Sequence, residues 1–146
     1  MSVATIPADS SCVCTALRKA VRAVSRSYDE AMIGTGMTIA QFSVLRHIAR
    51  GGAIPLSRLA EALVMDRTSL YRALAPLEQK GLVTTRSGPK GRARIAALTE
   101  SGRGAMETAT IPWRAAQKRL IGAMGEEAWA TLEAALSGVM RIADRA

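Results

Sequence analysis

The stretch "DRTSLYRALAPLEQKGLV", which starts at Asp66, separates polar chemistry from apolar packing. Arg67, Thr68, Ser69, Tyr71 and Arg72 crowd its first turns, while leucines recur at 70, 74 and 77. With Leu70 taken as the inward direction and about 100° per residue, Leu74 and Leu77 fall within about 40° of it. Thr68 and Arg72 then lie roughly 160° and 200° away, with Ser69 and Tyr71 on the flanks. The free face carries hydroxyls and a guanidinium near a helix N-terminus, where backbone N–H groups favour anions. A guanidinium can bond guanine O6 and N7 together, and hydroxyls can reach bases or phosphates. This is the chemistry of recognition rather than of turnover.

The charge is segregated in the same region. Between 66 and 94 lie seven basic residues (Arg67, Arg72, Lys80, Arg86, Lys90, Arg92, Arg94) and two acidic ones (Asp66, Glu78), a net +5. Residues 126–146 carry four acids (Glu126, Glu127, Glu133, Asp144) and two arginines (Arg141, Arg145), a net −2. The whole chain stands at +8, which favours an anionic partner, nucleic acid first and an acidic membrane surface second. A Gly-Pro-Lys-Gly turn flanked by Arg86, Arg92 and Arg94 suits a hairpin laid along a minor groove and its phosphates. Arg92 and Arg94 share one strand face by the period of two.

Other reactive groups are few. His47 is the one histidine and sits mid-helix beside Arg46. No nucleotide-binding glycine motif or metalloprotease helix occurs, so no catalytic set and no cofactor is expected. Cys12-x-Cys14 with one distant histidine does not match zinc spacings, so no metal is expected either. On a helix the two thiols point roughly 200° apart and cannot pair without unwinding. Cys14 falls on an apolar stripe and reads as a small packed residue. Cys12 lies near the helix start, where its pKa would drop, so a redox role stays open beside plain packing.

The elements that position these groups follow from periodicity. Cys14, Leu17, Val21, Val24, Tyr28 and Ala31 alternate by three and four, giving a first helix over 14–31, with Arg18, Arg22 and Arg26 on another face. Gly34 and Gly36 end it. Thr38 and Gln41 form a capping-box pattern, with Met37 and Phe42 as the staple, and open a second helix to about 50. Ser57 is the expected N-cap of a short third helix over 57–63. Asp66 caps the fourth and Gly81 ends it. A strand over 82–86, a turn over 87–91 and a strand over 92–98 follow. Thr99 caps a long helix to about 124, in which Pro112 is expected to cause a kink or orphan a carbonyl. Trp129, Leu132, Leu136, Val139 and Ala143 mark a last helix.

The chain is thus read as one domain, mainly α with a small β-hairpin, and long enough for a real core. Aromatics make up only 3%, so that core is built from Leu, Ala, Val, Ile and Met. No apolar run is long enough for a membrane span, and the N-terminus lacks a secretory pattern, so a cytoplasmic protein is expected.

"LSRLAEALVMDRTSLYRALAPLEQKGLV", the hairpin after it and "LTESGR" together resemble the MarR family of winged-helix transcription regulators. The resemblance covers nearly the whole chain. It implies a homodimeric DNA-binding regulator, in which 11–35 and 100–146 form a helical dimerisation region and 37–99 a winged helix-turn-helix lobe. Two lobes would straddle a pseudo-palindromic operator of double-stranded DNA. Family contacts carry over onto Arg67, Thr68, Ser69 and Arg72 of the recognition helix, and the minor-groove arginine of the wing onto Arg92. The family's wing usually holds an aspartate just before that arginine. Here Lys90 or Gly91 stands there, so Arg92 is less fixed or Arg94 shares its role.

The resemblance further implies a repressor released by a small aromatic or phenolic ligand held between the dimer helices and the winged lobe. Tyr28, Met32, Phe42, His47, Trp113 and Gln117 are the candidates, although Phe42 and Trp113 also read as plain core. Two rival readings remain. One is a redox-sensing regulator using Cys12 or Cys14. The other is a winged-helix module that docks an acidic protein.

Overall fold

The computed structural model describes residues 12–91 and 93–145. Helix α1 (Val13–Ala31) leads through a glycine-containing elbow into α2 (Ile39–Gly51), where the capping box forms in full. Gln41 N–H donates to Thr38 Oγ1, and Thr38 N–H donates to Gln41 Oε1, each at 3.2 Å. Met37 and Phe42 on either side of that cap are both buried, as a hydrophobic staple requires. Asp29 of α1 adds a second anchor, its Oδ1 accepting from Ile39 N–H at 2.7 Å.

A two-residue strand, β1 (Ile54–Pro55), precedes α3 (Leu56–Leu63). Ser57 therefore does not cap the third helix; Pro55 occupies the N-cap position without a side-chain bond. The proline fixes its own φ and needs no N–H partner, so the helix starts one residue early. Val64 turns the chain in the left-handed region (φ 53). Met65 N–H then reaches Ala60 O at 2.9 Å and Val64 N–H reaches Glu61 O at 3.1 Å, the bonding of a Schellman turn.

Helix α4 (Arg67–Gln79) buries Leu70, Leu74 and Leu77 to 2% exposure or less. Each such leucine contributes about 1.5–3 kcal/mol by burial. Pro76 sits inside the helix near its end, away from the polar first turns. A second Schellman turn ends α4, with Leu82 N–H on Leu77 O and Gly81 N–H on Glu78 O at 2.9 Å each, and Gly81 at φ +70.

Strand β2 (Val83–Ser87) pairs antiparallel with β3 (Arg94–Leu98), from Val83 opposite Leu98 to Ser87 opposite Arg94. A short 3-10 turn, η1 (Pro89–Gly91), lies between them. β1 pairs with the other edge of β3, so the sheet has three strands in the order β1-β3-β2. The expected hairpin is correct, but its returning strand starts later than expected.

Helix α5 (Glu100–Met124) continues through Pro112 as a single helix. Thr99 caps it, its Oγ1 accepting from Gly102 N–H at 2.9 Å. Helix α6 (Glu126–Ala143) follows directly. The core lies among α2, α3, α4, the sheet and the first half of α5, with Met32, Phe42, Leu45, Ile48 and Leu59 fully enclosed. Neither α1 nor α6 has one buried residue. Cys14 is exposed accordingly, which corrects its reading as a packed residue. The apolar stripe of α1 is real but is only partly covered among the described residues.

Candidate nucleic-acid interface

Asp66 shapes the leading end of α4. Its Oδ1 accepts Ser69 N–H at 2.7 Å and its Oδ2 accepts the Ser69 hydroxyl at 3.0 Å. These hydrogen bonds, the backbone one first, hold the Asp66 carboxyl below its ordinary value, so it stays a carboxylate at neutral pH. Arg67, Thr68, Ser69, Tyr71 and Arg72 are all exposed, with Thr68 and Arg72 opposite the buried leucines by helical period. Tyr71 keeps 44% of its surface free despite its size.

The wing comes close to this helix. Arg67 and Tyr71 of α4 share a cleft of about 490 Å³ with Arg94 of β3 and Ser57 of α3. Arg94 is oriented across the hairpin, its Nη2 donating to Thr85 Oγ1 at 2.7 Å. Arg86 and Lys90 are exposed farther out, and Lys90 takes a left-handed conformation (φ 66). Arg92 lies outside the described residues. Ser57 was singled out from sequence only as a helix cap, and Thr85 not at all. The Arg94–Thr85 pair had a signal in the strand alternation, whereas the placement of Ser57 depends on how α3 packs.

The six ligand candidates divide between two places. Tyr28 OH donates to Gln117 Oε1 between α1 and α5. Both residues line an apolar groove of about 340 Å³ with Val21, Leu120 and Leu132. Phe42 and Trp113 pack with ring centroids 5.5 Å apart and border a separate, smaller cleft with Arg46, Arg50 and Arg114. Met32 is enclosed in the core. His47 spends its Nδ1–H on the Ser43 carbonyl of its own helix at 2.7 Å. The group that sequence reasoning missed is Arg46, whose guanidinium stands 4.2 Å from the Trp113 ring and 5.8 Å from the Phe42 ring. Burial lowers its pKa, Arg50 lowers it further and Tyr28 opposes. Burial in turn raises the Tyr28 pKa, with Arg46 opposing.

Both thiols are exposed. Cys12 is the N-cap of α1, with extended backbone (φ −67, ψ 119). Hydrogen bonds from the Thr15 side chain, then from the backbone of Thr15 and Cys14, draw its pKa below the ordinary thiol value. Among the described residues no cluster of histidine, cysteine and carboxylate side chains is arranged to hold a metal ion. No helix there is long and apolar enough to cross a membrane.

A helix-turn-helix followed by a short antiparallel wing defines a winged helix-turn-helix protein. A family model described as the MarR family matches residues 35–93. Among solved structures, the M. tuberculosis transcriptional regulator MosR in complex with DNA is 30% identical (TM-score 0.84), covering 92% of this chain and 98% of that one. A mutant of E. coli MarR complexed with operator DNA is 26% identical (TM-score 0.77), covering 87% and 92%. The transcriptional repressor CouR on a DNA duplex, at 24% identity and TM-score 0.78 over 88% and 92%, shares the fold. No curated protein matches the chain by sequence. The chain belongs to the MarR family and is a transcriptional regulator of that family.

Proposed function

We propose that the chain is a homodimeric repressor that binds a pseudo-palindromic operator and leaves it when a small aromatic or phenolic anion binds. The observation that carries this reading is the convergence of Arg67 and Tyr71 from α4 with Arg94 from the wing on one open cleft, beside an exposed Thr68, Ser69 and Arg72. Relatives solved on DNA have the same fold. In this reading α4 reads the major groove, and Arg86, Lys90, Arg92 and Arg94 hold the adjacent backbone and minor groove.

Dimerisation is supported by the surface of the remaining helices, 11–35 and 100–146, while 37–99 forms the DNA-binding lobe. Val21 is 61% exposed, Leu132 40% and Val139 37%. Uncovered apolar stripes on α1 and α6 would be costly in a lone chain, and a two-fold partner covers them. Two lobes then reach half-sites one helical turn apart.

A gel shift against the chain's own upstream DNA at physiological salt tests the reading. Replacing Arg72 by Ala lowers discrimination between sites by roughly tenfold, the scale of one base contact. Replacing Lys90 by Ala weakens all sequences alike and reduces the salt slope by about 0.9. Unchanged operator binding by Arg72→Ala would show that the recognition helix is misassigned. Retained dimerisation with no shift would favour a protein-docking module.

A second reading is favoured by the exposed Cys12–Cys14 pair and the lowered Cys12 pKa. Because Cys12 precedes the helix, opening the first turn alone brings the thiols together. A peroxide would take two electrons and two protons from them, and the disulfide would release DNA. Iodoacetamide should modify Cys12 before Cys14, and Cys12→Ser should resist peroxide release. Equal release of both proteins from DNA would remove this reading.

A further inference from the structure

We propose that Ser69 meets DNA only as a hydrogen-bond acceptor, which selects cytosine or adenine at the base it faces. The inference rests on the operator-binding reading above and adds the polarity of one contact. A serine hydroxyl has one proton and two lone pairs, whereas a carboxylate only accepts. The Ser69 hydroxyl lies 3.0 Å from Asp66 Oδ2, so its single proton is committed to that oxygen. The Ser69 backbone N–H is likewise committed to Asp66 Oδ1, at 2.7 Å. Only the lone pairs of Ser69 Oγ are left to face outward from this exposed third position of α4.

In the major groove, cytosine N4 and adenine N6 offer donors, while guanine O6 and N7 and thymine O4 are acceptors. Phosphate oxygens are acceptors too, and the Asp66 charge repels them. Ser69 therefore faces a base edge rather than the backbone. A base that sets an acceptor against Ser69 Oγ leaves both desolvated, which costs about tenfold in binding.

Asp66 is the means of testing this. Asparagine caps helices as well as aspartate does. In Asp66→Asn, Oδ1 still accepts Ser69 N–H, but Nδ2 now donates to Ser69 Oγ. The hydroxyl proton then turns outward, so Ser69 can donate as well as accept through its remaining lone pair. The experiment is selection from a randomised duplex library by the full chain, its Asp66→Asn variant and its Ser69→Ala variant. The unmodified protein should enrich cytosine or adenine at one position of each half-site. Asp66→Asn should admit guanine and thymine at that position, losing the exclusive preference, and Ser69→Ala should flatten it. If the unmodified protein enriches an operator and Asp66→Asn keeps the same preference at every position, the acceptor assignment is wrong. A Ser69→Ala profile identical to that of the unmodified protein would equally overturn it. Failure of the unmodified protein to enrich any sequence would instead defeat the operator-binding reading, and this inference with it.

Discussion

Gly102 of α5 lies directly against the main chain of Leu82, where α4 gives way to the wing. A β-carbon on Gly102 would stand 2.9 Å from the Leu82 carbonyl carbon and closer still to its oxygen. That oxygen already accepts Thr99 N–H at 3.0 Å, and the Thr99 hydroxyl donates to Gly81 O at 2.6 Å. The end of α4, the start of β2 and the first turn of α5 thus share one joint, and the missing side chain lets it close.

Replacing Gly102 by Ala should therefore destabilise the protein. Alanine gains about 1 kcal/mol of helix propensity over glycine, but overpacking against a backbone that cannot rotate away costs about 3 kcal/mol. The expected net loss is about 2 kcal/mol, read as a lower urea midpoint. Gly104, on the same helix with nothing near its missing β-carbon, is the control. Gly104→Ala should be neutral or stabilising by up to about 1 kcal/mol. A Gly102→Ala midpoint equal to that of Gly104→Ala would show that the joint is not tight.

The caps at Thr38, Asp66 and Thr99 and the stop at Gly81 were legible in the sequence, because each is a local bond between a side chain or turn and nearby backbone. The leucine stripe of α4 was legible for a similar reason, since helical period alone sorts its faces. Strand β1 was not, because two residues show no alternation and pair only when β3 is beside them. Cys14 was misread because an apolar stripe shows that a face will be covered, not whether the same chain covers it. Arg46 was passed over because the rings beneath it come from α2 and α5, and only packing brings Phe42 and Trp113 together.

Val64 carries strain that a single substitution should relieve. It occupies the left-handed turn between α3 and α4 at φ 53, although it is β-branched. Left-handed backbone costs an L-residue about 1–2 kcal/mol, whereas glycine's added unfolded-state entropy costs about 0.5–1 kcal/mol. Val64 is 74% exposed, so little packing is lost with its side chain. Val64→Gly should raise the thermal midpoint, by the equivalent of about 0.5–1 kcal/mol. A lower midpoint would mean that the exposed valine is covered in the folded assembly.

Arg46 offers the sharpest test of the effector reading. Its guanidinium sits 4.2 Å from the Trp113 ring centroid, partly buried, with Arg50 close enough to lower its pKa further. A cation–π contact of this kind is worth about 0.5–2 kcal/mol, which holds the guanidinium over the ring without neutralising it. An aromatic carboxylate placed there could pair its charge with Arg46 and lay its ring near Phe42 and Trp113. Salicylate is a suitable probe, read by quenching of Trp113 fluorescence in a Trp129→Phe background. Arg46→Met keeps most of the stem's packing but removes the charge, and should weaken salicylate at least tenfold, the loss of one charge-assisted contact of about 1.5–3 kcal/mol. Operator affinity should stay within about threefold, since surface changes away from the reading face shift free energies by about 0.5 kcal/mol. Equal salicylate binding by both proteins would move the effector to the Tyr28–Gln117 groove. There the partner test is Gln117→Leu, which removes the acceptor of the Tyr28 hydroxyl and leaves Arg46 untouched.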